Sequence, residues 1–326
     1  MREITYLEAI KEALREEILR DDRVFLMGED IGKHGGAFGL TKGLWEEFGD
    51  ERIRNTPISE NTIVGCAIGS AITGLRPVVE IMFIDFITLA MDEIVNAAAK
   101  IRYITGGEHK IPLVIRTQQG SGGLKGAGAQ HSQSLEAWFV HIPGLKVVLP
   151  STPYDAKGLL KASIRDNNPV IFIEHKNLYS LKGEVPQEDY IVPLGKASLK
   201  KKGSDITVLA NQALLQQALG VAKEMEKEGI DIEVIDPMSY APLDHQTIIN
   251  SVKKTGRAVI LQEAHKSCGV ASEIGMVLME ECFDYLDAPV KRVTAMDLPI
   301  AFDVAEEKRC TPGKDDIRKA IEETLS

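Results

Sequence analysis

The sequence predicts an α/β protein with two domains, each built from a mostly parallel β-sheet flanked by helices. Short runs rich in β-branched residues alternate with longer amphipathic segments along the chain, which is typical of parallel α/β sheets. Several of these runs are continuously apolar, as strands covered on both faces are. With 326 residues, the chain is long enough for two domains that each bury a core.

The first domain opens with a helix whose start is marked by a capping box. Thr5 and Glu8 have the required T-x-x-E spacing, and apolar residues then recur at helical intervals up to Ile18. Further helices are predicted over 61–73 and 87–103, the second of them followed by a Gly-Gly pair. Strands are predicted over 24–27, 78–82, 113–117, 146–149 and 170–174.

A polar stretch with Gly and Pro follows the last of these strands and marks a boundary between the domains. We therefore expect the first domain at 1–185, a linker at 186–204 and the second domain at 205–326. The second domain continues the alternation of strands and helices. Its strands are predicted over 206–209, 232–235, 259–262 and 290–293, and its helices over 212–228, 245–254 and 272–285.

Composition and charge disfavour several classes of function. The net charge of −10 argues against nucleic-acid binding, which depends on clustered Lys and Arg. The longest nearly apolar stretch, 63–75, is shorter than the roughly 20 residues of a membrane helix, so no membrane span is expected. The first residues lack a targeting pattern, which predicts a cytoplasmic location. The four cysteines have no C-x-x-C spacing and are expected to be buried free thiols.

A glycine-rich segment, 119–131, ends on the histidine of Gln130-His131-Ser132-Gln133. The segment matches neither a P-loop nor a dinucleotide-binding fingerprint, and a surface loop is its simplest interpretation. His131 is predicted at the start of a helix, where an imidazole could exchange protons near neutral pH. On the residues alone, a structural role for His131 is favoured over a catalytic one.

The segment around Glu60 combines a carboxylate with an apolar helix that contains small residues. Glu60 follows a strand and a proline, and Gly65 and Gly69 share one face of the helix. Glu60 could simply complement the helix dipole in the first turn. Beside an apolar wall it could instead be partly desolvated and able to exchange protons. The residues alone favour the first interpretation.

Longer motifs occur in order along the chain. They are Thr56-Pro-Ile-Ser-Glu60, Gly74-Leu-Arg-Pro77, Glu80-Ile-Met-Phe-Ile-Asp-Phe86, Ala129-Gln-His-Ser-Gln133, His141-Ile-Pro-Gly-Leu-Lys-Val147, Arg165-Asp-Asn-Asn-Pro169, Ile235-Asp-Pro-Met-Ser-Tyr-Ala-Pro-Leu-Asp244 and Val259-Ile-Leu-Gln-Glu-Ala-His265. With these motifs the chain closely resembles the β subunit of heterotetrameric 2-oxo acid dehydrogenase E1 components, over nearly its whole length. The resemblance implies a thiamine-diphosphate pyrimidine-binding domain followed by a transketolase C-terminal-like domain.

The resemblance also implies roles for individual residues. Glu60 would hydrogen-bond N1′ of the aminopyrimidine and promote its imino tautomer, while the cofactor performs the carbanion chemistry. Phe86 would stack on the pyrimidine, and Ile58 and Met82 would line it. His131 would lie near the substrate and the incoming lipoyl group.

Two metal ions follow from the same resemblance. In some relatives a potassium ion is held mainly by backbone carbonyls, at positions that correspond here to Leu113, Ser163, Ile164, Asp166 and Asn168. Thiamine enzymes usually hold Mg²⁺ and the diphosphate through a G-D-G motif, which this chain lacks, because Gly49-Asp50 is followed by Glu51. Mg²⁺ and the diphosphate are therefore expected on an α subunit, in an α2β2 heterotetramer whose chains share the cofactor.

Two short segments narrow the choice of small-molecule substrate. Ile115-Arg-Thr117 and Glu174-His-Lys-Asn-Leu-Tyr179 are more similar to the acetoin dehydrogenase branch than to the pyruvate branch. Acetoin would be cleaved, or a 2-oxo acid decarboxylated, before the acyl group passes to the lipoyl domain of an E2 acyltransferase. Pyruvate and branched-chain 2-oxo acids stay open as substrates.

The resemblance also bears on docking of E2 and on one alternative function. The subunit-binding domain of E2 is usually basic, so the acidic balance of this chain is compatible with electrostatic steering between them. A catalytically silent structural or regulatory paralogue is the alternative of another class. Such a paralogue would not need Glu60, Phe86 and His131 together.

Overall fold

A computed structural model describes residues 1–122 and 127–326, and they form two compact units. The first unit comprises Met1–Gln119 and Trp138–Leu194, and the second comprises Gly120–Ala137 and Gly195–Ser326. A strand at Ser198–Lys201 lies within the segment expected to be a linker. The domain limits 1–185, 186–204 and 205–326 themselves stay a prediction.

The first unit is built around a parallel sheet. Its strands are β1 (Arg2–Thr5), β2 (Val24–Glu29), β3 (Ile53–Thr56), β4 (Arg76–Ile81), β5 (Val114–Gln119), β6 (Lys146–Val148), β7 (Val170–His175) and β8 (Lys182–Val185). Its α-helices are α1 (Tyr6–Arg20), α2 (Leu44–Phe48), α3 (Glu60–Ile72), α4 (Ile101–Ile104), α5 (Glu136–Val140), which begins in the second unit, and α6 (Pro153–Arg165). All five strands predicted for this part of the chain are confirmed.

Within this unit, the strands β6-β7-β5-β4-β2-β3 lie side by side in that order and run parallel, whereas β1 and β8 form a separate antiparallel pair. Every residue of β4, β5 and β7 is buried, as expected for central strands covered on both faces. Since parallel strands end at the same edge of a sheet, the loops after β2, β3 and β4 are brought together.

The first helix begins as predicted. Glu8 N donates to Thr5 Oγ1 (3.1 Å), and Thr5 N donates to Glu8 Oε2 (2.7 Å), which completes the capping box. On its other turns α1 meets two fully buried lysines of α6: Lys157 Nζ lies 2.6 Å from Glu16 Oε1, and Lys161 Nζ lies 2.5 Å from Glu16 Oε2. Charged groups therefore form part of the contact between these helices.

The prediction of one continuous helix over 87–103 is wrong, because this segment is divided into three short helical elements. The chain forms a 3₁₀ turn at Phe86–Ala90, a π-helical segment at Glu93–Ala98 and then α4. The end of the π-helical segment packs closely against Gly144, because a Cβ at that position would lie only 2.1 Å from Ala99 O. Apolar spacing over so few turns does not separate α-helical from π-helical hydrogen bonding, so the sequence pattern could not show this change.

The second unit has its own mostly parallel sheet. The strands of the unit are β9 (Ser198–Lys201), β10 (Ile206–Leu209), β11 (Ile232–Asp236), β12 (Ser239–Ala241), β13 (Ala258–His265) and β14 (Lys291–Ala295), and β12 lies outside this sheet. Its helices are α7 (Gln212–Glu226), α8 (His245–Thr255), α9 (Val270–Cys282), α10 (Val304–Cys310) and α11 (Lys314–Leu325). The sheet order is β14-β13-β10-β11-β9, with only β9 antiparallel to its neighbour. The predicted fold class is confirmed.

Two expectations from composition can be compared with this structure. Among the described residues, no helix combines the length and apolar character that a bilayer crossing requires. The expectation of buried thiols is wrong for most of the cysteines, since Cys66 and Cys268 are exposed, Cys310 is half-buried and Cys282 alone is buried. Cys66 lies on the outward face of α3, where apolar neighbours in the sequence do not imply burial.

Candidate active site

The predicted pyrimidine-binding residues lie at the carboxyl edge of the first sheet. Ile58 is in the loop between β3 and α3, and Met82 follows β4 directly. Phe86 begins the 3₁₀ turn after β4, and α3 packs against this turn. The fold therefore brings Ile58, Glu60, Met82 and Phe86 to neighbouring elements of one sheet edge, which is where ligands bind in open parallel sheets.

Glu60 is the first residue of α3 and is half-buried. The preceding Ser59 makes no side-chain cap, and its hydroxyl instead donates to Thr62 Oγ1 at 2.8 Å. A second carboxylate, Glu29, ends β2 nearby. Burial, followed by the charges of Asp30 and Glu60, raises the pKa of Glu29 above its ordinary value. Glu60 thus lies in a partly buried, acidic environment at the positive end of a helix.

Glu93 approaches α3 from the π-helical segment. Its Oε1 accepts a hydrogen bond from Asn61 Nδ2, and its Cγ would lie 3.8 Å from a Cβ on Gly65. Its other oxygen, Oε2, is buried and has no hydrogen-bond partner among the described residues. Because a buried oxygen without a partner is costly, this side of α3 is suited to a donor supplied by a ligand or another chain.

Phe86 and Phe83 form an aromatic wall at the turn that packs against α3, the helix that Glu60 begins. Phe86 is half-buried and meets the edge of Phe83, with ring centroids 5.8 Å apart and an interplanar angle of 83°. Met82 is also half-buried, whereas Ile58 is 75% exposed. An exposed isoleucine, a flat ring and a carboxylate together can hold a planar heterocycle, by apolar contact on its faces and one hydrogen bond at its edge.

His131 belongs to the second unit and is half-buried. It lies in a turn in which His131 N donates to Gly128 O at 3.3 Å. The predicted position at the start of a helix is wrong, because α5 begins only at Glu136. Of the glycine-rich segment 119–131, residues 123–126 lie outside the described part of the chain.

A cavity of about 420 Å³ borders the loop that carries His131. Its lining includes Ala129 and Gln133 from this loop and His265, Ser267, Asp297 and Ile300 from other parts of the second unit. Hydrogen bonds from Ser267 lower the pKa of Asp297. Ala129, Gln133 and His265 belong to the ordered motifs, whereas Ser267, Asp297 and Ile300 belong to none of them and lie far from the loop along the chain.

Of the five residues expected around potassium, Ser163 and Ile164 lie in the last turn of α6, Asp166 and Asn168 lie between α6 and β7, and Leu113 directly precedes β5. The guanidinium group of Arg76 donates hydrogen bonds to two of the backbone carbonyls of this set. Its Nε donates to Ile164 O (2.9 Å), and its Nη2 donates to Asp166 O (2.5 Å). Leu113 O accepts Val170 N at 2.9 Å. Among residues 1–122 and 127–326, no group of three or more His, Cys, Asp or Glu side chains is arranged to hold a metal ion. Potassium binding therefore stays a prediction.

Comparison with known proteins assigns both parts of the chain. Residues 2–182 match the transketolase pyrimidine-binding domain, and residues 195–317 match the transketolase C-terminal domain. A solved structure of a split-gene transketolase, described as an inactive β4 tetramer, has the same fold, with a TM-score of 0.81 over 99% of this chain and 98% of that one at 24% identity.

Three curated relatives are similar over nearly their whole length. The 2-oxoisovalerate dehydrogenase subunit β of Bacillus subtilis is 47% identical, covering 92% of this chain and 91% of its own. From the same organism, the acetoin:2,6-dichlorophenolindophenol oxidoreductase subunit β is 44% identical, covering 99% and 98%. The pyruvate dehydrogenase E1 component subunit β of Rickettsia felis is 44% identical, covering 98% and 97%. The chain therefore belongs to the E1 β-subunit family of 2-oxo acid and acetoin dehydrogenases, which joins a transketolase pyrimidine-binding domain to a transketolase C-terminal domain.

Proposed function

We propose that this chain binds the aminopyrimidine of thiamine diphosphate and, with an α subunit, cleaves acetoin with release of acetaldehyde. The remaining two-carbon unit would pass as an acetyl group to the lipoyl group on E2, whose disulfide is reduced in the transfer. The observation that carries the proposal is the pairing of half-buried Glu60 with the Phe86 wall at the carboxyl edge of a matched pyrimidine-binding domain. When bound, thiamine diphosphate would supply the carbanion chemistry that amino-acid side chains lack.

The residues present suit the pyrimidine half of this cofactor. Phe86 offers a flat apolar face for the ring, while Ile58 and Met82 extend that apolar surface. Glu60 would hold or exchange a proton at a ring nitrogen. Burial, and then the charges of Asp30 and Glu60, raise the pKa of Glu29. The same surroundings disfavour a further negative charge here, which favours a ligand edge that carries a proton.

The diphosphate half would be held elsewhere. The sequence has no G-D-G motif, and the curated relatives that span the same length are themselves named as β subunits. We infer that an α subunit supplies Mg²⁺ and the diphosphate site, in an α2β2 heterotetramer in the cytoplasm. The proposed role of His131 is to contact the substrate and the lipoyl group. The net charge of −10 would assist docking of a basic E2 domain.

Branched-chain 2-oxo acids are the second candidate substrates. The relative named for 2-oxoisovalerate has 47% identity, against 44% for the relative named for acetoin. Substrate choice depends on a few pocket residues and not on overall identity. The preference for acetoin rests on the short segments 115–117 and 174–179.

Dye-linked turnover of the α/β complex tests this assignment. We expect reduction of 2,6-dichlorophenolindophenol to require added thiamine diphosphate, with a kcat/KM at least about tenfold higher for acetoin than for pyruvate or 2-oxoisovalerate, equivalent to roughly 1.4 kcal/mol of discrimination. A higher kcat/KM for 2-oxoisovalerate would transfer the assignment to the branched-chain acids. Equal turnover with and without thiamine diphosphate would contradict the proposed function.

A further inference from the structure

A buried group of charges lies beneath the aromatic wall in the first unit. Arg116, on the central strand β5, is fully buried between Glu80 on β4 and Glu174 on β7. Its Nη1 donates to Glu80 Oε2 at 2.7 Å, and its Nε donates to Glu174 Oε1 at 2.7 Å. The hydroxyl of Tyr179 donates to the remaining oxygen of Glu174, also at 2.7 Å. We call these four residues the buried charge cluster.

Tyr179 keeps its proton in this environment. Burial, and then the charge of Glu174, raises the pKa of Tyr179 well above its ordinary value, so the hydroxyl remains a donor at physiological pH. A hydrogen bond from a neutral hydroxyl to a buried carboxylate is short and directional. The ring of Tyr179 is therefore held at both of its ends, by the backbone and by Glu174.

A chain of aromatic contacts leads from this ring to the candidate site. Tyr179 meets Phe38 with ring centroids 5.3 Å apart, and Phe38 meets the edge of Phe83 at 5.8 Å and 68°. Phe83 in turn meets Phe86 at 5.8 Å and 83°. The Tyr179–Phe38 pair is tilted, with an interplanar angle of 53°, and the other two pairs are edge-to-face. Contacts of these kinds depend on the relative orientation of the rings as well as on their distance. The orientation of Phe86 is thus linked, ring by ring, to the hydroxyl of Tyr179.

The loop that carries Phe38 also rests directly on the cluster. Gly36 has a positive φ of 80°, and a Cβ at this position would lie 3.2 Å from Glu80 Oε1. Further along the loop, Thr41 Oγ1 donates to Ile31 O at 2.8 Å. The buried charge cluster therefore supports Phe38 both through the ring of Tyr179 and through the carboxylate of Glu80.

We propose that Tyr179 is a positioning residue for cofactor binding: its bond to Glu174 orients Phe38 and Phe83, and through them the Phe86 face on which the pyrimidine of thiamine diphosphate stacks. This inference rests on the proposed function of the chain. Tyr179 would not contact the cofactor itself. It would act through the rings of Phe38 and Phe83, and only on the binding of the pyrimidine half of the cofactor. Loss of its hydroxyl is therefore expected to weaken binding of the pyrimidine without changing the diphosphate site.

Calorimetric titration of the α/β complex with two probes tests the inference. Tyr179→Phe is expected to weaken binding of Mg²⁺-thiamine diphosphate about three- to tenfold, the range set by one aromatic pair, while kcat at saturating cofactor changes less than about twofold. Binding of Mg²⁺-pyrophosphate is expected to be unchanged. Tyr190→Phe is the matched control, because its hydroxyl donates to Tyr154 O (2.9 Å) beside a second stacked ring, and it should leave both affinities unchanged.

The outcomes separate the inference from the proposed function. If wild-type complex binds thiamine diphosphate and Tyr179→Phe binds it equally well, the positioning role is overturned. An equal loss of affinity for both probes would also overturn it, since that pattern indicates general destabilisation. If the Tyr179→Phe complex does not assemble, Phe38→Leu is the second variant, because it removes one ring but keeps an apolar side chain. It should likewise weaken binding of Mg²⁺-thiamine diphosphate and leave binding of Mg²⁺-pyrophosphate unchanged. If the wild-type complex does not bind thiamine diphosphate, the proposed function is wrong, and the positioning role of Tyr179 is overturned together with it.

Discussion

Replacement of Glu60 by glutamine is expected to lower kcat of the α/β complex by about 100-fold or more, the usual contribution of a positioned acid–base group. The amide has nearly the same size and can still hydrogen-bond, but it cannot exchange a proton with a ring nitrogen. Dye-linked turnover at saturating thiamine diphosphate measures the effect. Because Glu60 begins a helix, its loss should cost only about 0.3–1 kcal/mol of stability.

Glu273→Gln provides the control for this change. Glu273 is an acidic first-turn residue of α9, which has 13 residues, as α3 does. It is exposed and lies in the second unit, outside the candidate site. The control should therefore keep wild-type kcat. Wild-type kcat in an assembled Glu60→Gln complex would show that the proposed role of Glu60 is wrong.

Arg116→Met should lower the free energy of unfolding of the first unit by about 3–5 kcal/mol, the typical cost of leaving buried charges without their partner. Glu80 and Glu174 would then share no cation, and both carboxylates are buried. Urea unfolding followed by tryptophan fluorescence measures this loss. Both tryptophans, Trp45 and Trp138, belong to the first unit, so their signal reports on it.

An exposed ion pair gives the comparison for Arg116. Arg15 lies 2.6 Å from Glu47, and its side chain is 49% exposed. Arg15→Met should therefore cost only about 0.2–1 kcal/mol, as exposed ion pairs usually do. Equal destabilisation by the two substitutions would contradict the view that burial makes the Arg116 contacts decisive.

The sequence predicts the regular elements well because local patterns determine them. The capping box at Thr5 and Glu8 and the largely apolar strands β2 and β10 are signals that need no tertiary information. Buried charge behaves differently. Arg116 and its partner Glu174 are 58 residues apart, and propensity alone would assign a lysine such as Lys157 to the surface. Only the folded contacts show that these groups are paired.

The candidate site could be predicted only in part. Glu60 and Phe86 were identified through ordered motifs, whereas spacing alone favoured a structural role for Glu60. The motifs do not include Glu29, although the acidic pair Glu29 and Asp30 at the end of a buried strand is a usable signal. Phe38 was also missed, because its contacts with Tyr179 and Phe83 depend on a loop conformation that residue patterns do not encode.

If this chain is one half of a thiamine-diphosphate enzyme, neither purified chain should be active without the other, and mixing the two chains is the test. Dye reduction would be measured with Mg²⁺-thiamine diphosphate and substrate for this chain alone, for the α subunit alone and for increasing ratios of the two. We expect no turnover from either chain alone and a rate that saturates at one α subunit for each copy of this chain. Turnover by this chain alone that depends on thiamine diphosphate would show that the active site is not shared between two chains.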